Sequence, residues 1–166
     1  IEDTPDVMRR LAADGITTKI IGPEDVGPDS GYFTHMSGLY LDGVQRTGAM
    51  SSLGIIATHG YATDGQTPSF GRTAWSDYNQ NVASQYGLPV WQTESSGDAT
   101  TWLTSGTAQT GGLGMALRIH DAMVYGHTSA WLYWQIADGS ADPSQYAMMG
   151  SSSADIKDPN RQRSTD

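Results

Sequence analysis

Apolar residues recur along this chain in two periods, and glycine and proline mark the borders between them. The opening "TPDVMRRLAADG" predicts a helix over Thr4–Asp14. Thr4 is placed to cap the first free N–H groups, Pro5 fits the first turn, where its missing N–H costs nothing, and Gly15 fits the stop. The β-branched run "TTKIIGPE" (Thr17–Glu24), closed by Gly-Pro, predicts a strand. "GYFTHMSGLYLDGVQRTG" is mixed and is expected to contain a helix. "GIIATHGY" (Gly54–Tyr61) predicts a second strand, ending in polar and aromatic residues. Trp75, Tyr78, Val82 and Tyr86 then recur at steps of three and four, a helix face stopped by Gly87. "PVWQTE" is a strand. "TAQTGGLGMALRIHDAMVYG" carries Leu113, Ala116, Leu117, His120 and Val124 on one stripe and predicts a helix despite its glycines. "SAWLYWQ" (Ser129–Gln135) is a further strand. From Ala137 the chain turns rich in Ser, Asp and Pro and reads as loop, with at most a short element around "SQYAMMG".

Helices that alternate with strands imply a parallel sheet with right-handed crossovers. The strands are apolar early and polar or aromatic late: "KIIGPE", "IIATHGY", "VWQTE", "WLYWQ". Long loops follow the strands, and short turns precede them. Both asymmetries fit the face of a (β/α)8 barrel where catalytic groups gather at the C-terminal strand ends. A whole barrel takes about 250 residues, so the chain reads either as part of a barrel or as a smaller open α/β sheet.

Composition narrows the partners. Of 166 residues, nine are Lys or Arg and 18 are Asp or Glu, a net charge of −9. Such a surface repels phosphate backbones, so nucleic acid is not an expected partner. No apolar run reaches the ~18 residues of a membrane span, and no cationic-apolar signal segment stands at Ile1, which is not a methionine. Zero Cys excludes disulfides and thiolate zinc sites. No metal and no cofactor is expected: the histidines lack ligand spacing, and the glycine-rich phosphate loop, the G-x-S-x-G elbow and H-E-x-x-H are all absent. Five Trp and eight Tyr against two Phe suit carbohydrate faces and ordinary cores alike.

Strand alternation puts Val90, Gln92 and Glu94 on one side. If Val90 faces a barrel interior, Glu94 points into its mouth, a candidate nucleophile or base; the competing reading is a salt-bridged or capping carboxylate. His59 and Tyr61 share a face by the same rule, and a tyrosine beside a carboxylate can orient it and stabilise its charge. Glu24 ends its own strand and either binds a sugar hydroxyl or caps a turn. Trp102, in the loop after Glu94, is placed to border a cleft. Of the alternating Trp131 and Trp134, one is expected to face the barrel and the other the helices. His120 reads as structural on its helix stripe, His127 as a solvent-facing residue at the helix end, and His35 as a loop or surface residue.

"TKIIGPE", "IATHGY", "PVWQTESSGD" and "SAWLYWQ", in this order, resemble the second half of the catalytic barrel of retaining glycoside hydrolases, most nearly glycoside hydrolase family 30. The resemblance spans Asp6 to Gln135 and rests mainly on "WQTE" followed by "WLYWQ". It implies a partial (β/α)8 barrel, about four βα units holding the family's fifth to eighth strands, over residues 1–136, with 137–166 as a loop-rich tail. It also implies roles. Glu94 is then the nucleophile and Tyr61 its hydrogen-bond partner. His59 lines the same wall, Trp134 floors the subsite at the cleaved bond, and Gln135 lies near it. Glu24 is placed to touch sugar.

The family's acid/base glutamate stands in an Asn-Glu pair on the fourth strand, and no Asn-Glu occurs in this chain. The expectation is therefore a secreted hydrolase of β-linked polysaccharide such as xylan, β-glucan or β-1,6-galactan. Its acid/base and the N-terminal half of its barrel are expected upstream of Ile1, and residues 1–166 alone are expected to be inactive. Two other readings compete. One is a non-catalytic carbohydrate-binding domain using Trp75, Trp102, Trp131 and Trp134 as platforms. The other is a hydrolase pairing His59 with Ser95 or Ser96.

Overall fold

A computed structural model of the protein describes residues 3–28, 32–63, 68–96, 111–134, 137–138 and 149–150. Helices and strands alternate: α1 (Asp3–Ala13), β1 (Ile20–Asp25), α2 (Tyr32–Arg46), β2 (Leu53–His59), α3 (Pro68–Asn81), β3 (Val90–Glu94), α4 (Gly111–Val124) and β4 (Thr128–Trp131). The short pair β5 (Ala137–Asp138) and β6 (Met149–Gly150) forms a separate two-stranded sheet. Helices α1 and α2 end alike. Gly15 and Gly48 both take φ +74, and the next residue's N–H reaches back to the last turn, Ile16 to Leu11 O (2.8 Å) and Ala49 to Val44 O (3.0 Å). A side chain at either glycine would strain that left-handed closure.

The four strands of the main sheet are parallel and lie in the order β1-β2-β3-β4. That order has a topological consequence. Each right-handed crossover returns on the same side, so the helices gather on one face and the sheet curls about the other. A doubly wound sheet would reverse its order at a switch point. The chain is thus an α/β partial barrel.

Its core lies between sheet and helices. Leu53 and Ile56 of β2 and Val90 of β3 pack with Leu41 of α2 and with Tyr78 and Val82 of α3, all buried. Each such side chain contributes about 1.5–3 kcal/mol by leaving water. Trp75 meets Tyr78 edge to face at 6.2 Å and is 1% exposed, so it is a core residue and not a sugar platform. A polar chain crosses this core. The Tyr78 hydroxyl donates to Ser37 Oγ (3.2 Å), and Ser37 donates to Asp25 Oδ2 (2.5 Å), tying α3 and α2 to the end of β1. Burial pushes the Tyr78 phenol well above its ordinary range, and the Ser37 hydrogen bond offsets only part of this.

Two expectations are corrected here. Val90 packs toward the helices and does not face the barrel interior. The stripe proposed on α4 is also not the buried one. Leu113 is 41% and Val124 51% exposed, and Ala116 and His120 are exposed too, while Gly114, Asp121 and Ala122 are buried. The reason is close approach. A Cβ on Gly71 of α3 would lie 3.0 Å from Asp121 Oδ2, and one on Gly126 would lie 2.5 Å from the Trp75 ring. Small residues let α4 sit tightly on its neighbours, and this contact, not the apolar stripe, sets its rotation. His120 instead pairs with Asp121 (3.2 Å) and lies edge-on to Tyr125. His127 is exposed, in the turn after α4, at φ +53.

Candidate active site

The C-terminal ends of β1, β2 and β3 bring Glu24, His59, Tyr61, Thr93 and Glu94 together. Two register slips arrange them. Between β1 and β2, Pro23 stands opposite Ala57 and Asp25 opposite Thr58, which leaves Glu24 as the extra residue. Between β2 and β3, Thr58 stands opposite Gln92 and His59 opposite Glu94, which leaves Thr93 as the extra residue. Such bulges bend a strand and re-aim a side chain.

The second slip matters most. Val90 and Gln92 are buried at 5% and 0% exposure, and unbroken alternation from Val90 would carry Glu94 to the helix side with them. The extra Thr93 changes the phase, so Glu94 leaves that face and reaches the open end of the sheet. The simple two-residue period therefore leads to the right neighbourhood by the wrong path.

Tyr61 is not in a strand. It opens a tight turn, Tyr61–Thr63, just after β2, closed by Thr63 N–H and Oγ1 both donating to Gly60 O. From that turn its hydroxyl donates to Glu94 Oε1 at 2.7 Å. A hydrogen bond of this length from a phenol fixes the orientation of the Glu94 carboxyl group. The His59 and Tyr61 rings meet edge to face at 5.7 Å. His59 Nε2 lies 3.2 Å from Glu24 Oε2 and 3.9 Å from Glu94 Oε2, so Glu24 is its nearer carboxylate. Thr93 Oγ1 donates to the same Glu24 oxygen. Thr93 escaped the sequence reading because an interior threonine in a strand motif carries no periodic signal of a bulge.

The backbone around Glu94 is held on both flanks. Gly60 N–H donates to Glu94 O (2.7 Å), and Trp134 N–H donates to Ser95 O (2.8 Å). A Cβ on Gly60 would come within 3.2 Å of Gln92 Nε2 and Ser95 Oγ, so a side chain there would make those neighbours give by a few tenths of an ångström. Trp134 is 49% exposed and stands past the end of β4, which stops at Trp131 and is shorter than expected. Trp131 is half-buried and stacks on Tyr133 at 6.0 Å. Trp102 and Gln135 lie outside the described residues. Ser95 and Ser96 are 1% and 5% exposed, out of a substrate's reach, which removes the basis for a serine nucleophile. Among the described residues, no group of three metal-ligating side chains is assembled, and no helix is long and apolar enough to cross a membrane.

Comparison with known proteins bears on the fold. The chain is similar to the catalytic domain of the GH30 xylanase C from Talaromyces cellulolyticus, with a TM-score of 0.58 and 26% sequence identity, over 89% of this chain and 29% of that one. No family model and no curated protein matches the sequence. The chain has a GH30-like glycoside hydrolase fold, in the form of a partial barrel, and it spans 29% of the length of the solved chain it matches.

Proposed function

We propose that this chain carries the nucleophile side of a retaining glycosidase acting on a β-linked polysaccharide. Xylan, β-glucan and β-1,6-galactan are the candidate substrates, and the site of action is outside the cell. The observation that carries the reading is the Tyr61 hydroxyl on Glu94 Oε1, at 2.7 Å, at the C-terminal end of a parallel sheet. Exposed Trp134, its backbone bonded to the residue after Glu94, supports a sugar-stacking wall. The likeness to a xylanase domain points the same way.

The proposed chemistry follows from the two oxygens of Glu94. Oε1 is engaged by Tyr61, and Oε2 attacks the anomeric carbon. A second carboxyl, about 5–5.5 Å away in retaining enzymes, protonates the leaving oxygen as the glycosidic bond breaks. It then takes a proton from the water that hydrolyses the glycosyl ester and releases Glu94. No glutamate or aspartate other than Glu24 accompanies Glu94 in the described site, and Glu24 is held by His59 and Thr93. In this proposal the second carboxyl comes with the complementary half of the barrel, so residues 1–166 alone are inactive.

The test is an assay of the full-length protein on xylan, β-1,3-glucan, β-1,6-glucan and β-1,6-galactan, with the anomeric form of the first product followed by NMR. Net retention is expected, together with loss of turnover in Glu94→Gln. Inversion, or an active Glu94→Gln variant, overturns the reading.

A further inference from the structure

Glu24 was expected to contact sugar, yet its carboxylate accepts a hydrogen bond from Thr93 and lies against His59. Glu24 is the extra residue of the first bulge, and its backbone takes φ +62, a left-handed conformation unusual for a side chain of this size. Thr93 is the extra residue of the second bulge. The bulges lie on opposite sides of β2 at the same level, and Thr93 Oγ1 and His59 Nε2 converge on Glu24 Oε2. One carboxylate oxygen thus links β1, β2 and β3 across the strand that carries His59. Backbone strain at a residue like Glu24 persists only where its surroundings hold it, and these contacts are part of what holds it.

The linkage has a chemical consequence. The Glu24 carboxylate is the nearer of two that face the Nε2 edge of His59, and its pull on that edge biases the ring toward Glu24. The other is that of Glu94, with Oε2 3.9 Å away. A swing of the ring toward Glu94 would place a hydrogen bond on the oxygen that the proposed reaction uses to attack. With Tyr61 already on Oε1, the carboxylate would then have a donor on each oxygen and be a poorer nucleophile.

We propose that Glu24, braced by Thr93, is a positioning residue that keeps the His59 N–H off the attacking oxygen of Glu94. The inference rests on the glycosidase reading and deepens it: Glu24 acts through His59 and does not bind sugar. A sugar ligand and a positioning group differ in what their loss does. Losing a uniform substrate contact raises KM, whereas losing a positioning group lowers kcat.

The experiment uses the full-length protein on the polysaccharide it hydrolyses best. Glu24→Ala is expected to lower kcat by about 10–100-fold, the range for loss of a group that orients a reacting residue, with KM within about twofold. Glu24→Gln keeps an oxygen that can accept from His59 and Thr93, and it is expected to stay within about fivefold of wild type. Thr93→Val is expected to lower kcat in the same direction as Glu24→Ala, but less. The 15N resonances of His59 are expected to shift in Glu24→Ala relative to wild type, a readout independent of turnover. A rise in KM at unchanged kcat, a Gln variant as impaired as Ala, or unshifted His59 resonances would each overturn the proposal. Failure of the underlying reading looks different: no retaining hydrolysis by the wild type, or an active Glu94→Gln variant.

Discussion

The two faces of the sheet are built to opposite rules. On the helix side Leu53, Ile56, Val90 and Gln92 are at most 5% exposed, whereas on the other face Ile21 is 41% exposed and Ile55 and Trp91 are half-buried. Both faces carry large apolar residues, as parallel strands covered on both sides do. One is covered by α2 and α3; the other is the inner face of a barrel that this chain closes only in part. The helix side therefore supplies most of the packing among the described residues, and the inner face and its rim carry the proposed chemistry. The difference teaches that burial and function can be separated here residue by residue.

The sharpest way to break the comparison is at the rim. Glu94→Gln in the full-length protein is expected to cost on the order of 10⁴–10⁶-fold in kcat, the range for removing a covalent nucleophile, while the urea midpoint stays close to wild type. Next comes Ile56→Ala on the helix side. It is expected to destabilise the chain by about 2–5 kcal/mol, read from urea denaturation, against under about 1 kcal/mol for Ile21→Ala on the open face. A comparable loss at both positions would mean that the inner face is also packed in this chain. Tyr61→Phe is expected to lower kcat about 10–100-fold, matching a charge-assisted hydrogen bond of roughly 1.5–3 kcal/mol, with little change in thermal midpoint.

The smallest effect lies in the core's polar chain. Tyr78 has a folded pKa above its unfolded value near 10. For a raised pKa the native state holds its proton longer than the unfolded chain does. Its contribution is therefore intact below about pH 10 and declines as pH climbs beyond that value. The urea midpoint of the wild type should fall between about pH 9.5 and 11, and Tyr78→Phe should flatten that fall at a cost of about 0.5–1.5 kcal/mol at neutral pH.

Much of this division was legible in the sequence. The alternation of helix and strand, the parallel sheet, and the gathering of Glu94, Tyr61 and His59 at strand ends all follow from periodicity and from where polar residues interrupt it. The resemblance to a barrel hydrolase then matched the observed fold. What stayed hidden was the path by which Glu94 arrives. A bulge adds one residue to one strand relative to its partner, and a single strand's sequence cannot announce a mismatch with its neighbour. For the same reason Glu24 read as a strand-end residue that binds sugar or caps a turn, Thr93 did not register, and the direction of Glu94 was tied to an inward Val90. On α4 the error was of another kind. The apolar stripe was real, but Gly71 and Gly126 decided the rotation through contacts that a moment along one helix does not contain.

The two backbone bonds that bracket the proposed nucleophile, from Gly60 to Glu94 and from Trp134 to Ser95, lie on the near side of the connecting segments after β2, β3 and β4. Segments of that kind tolerate insertion, deletion and exchange far better than the strands beneath them. On the proposed reading, descendants of this scaffold can therefore change substrate by rewriting those segments, without moving the carboxylate on which turnover would depend.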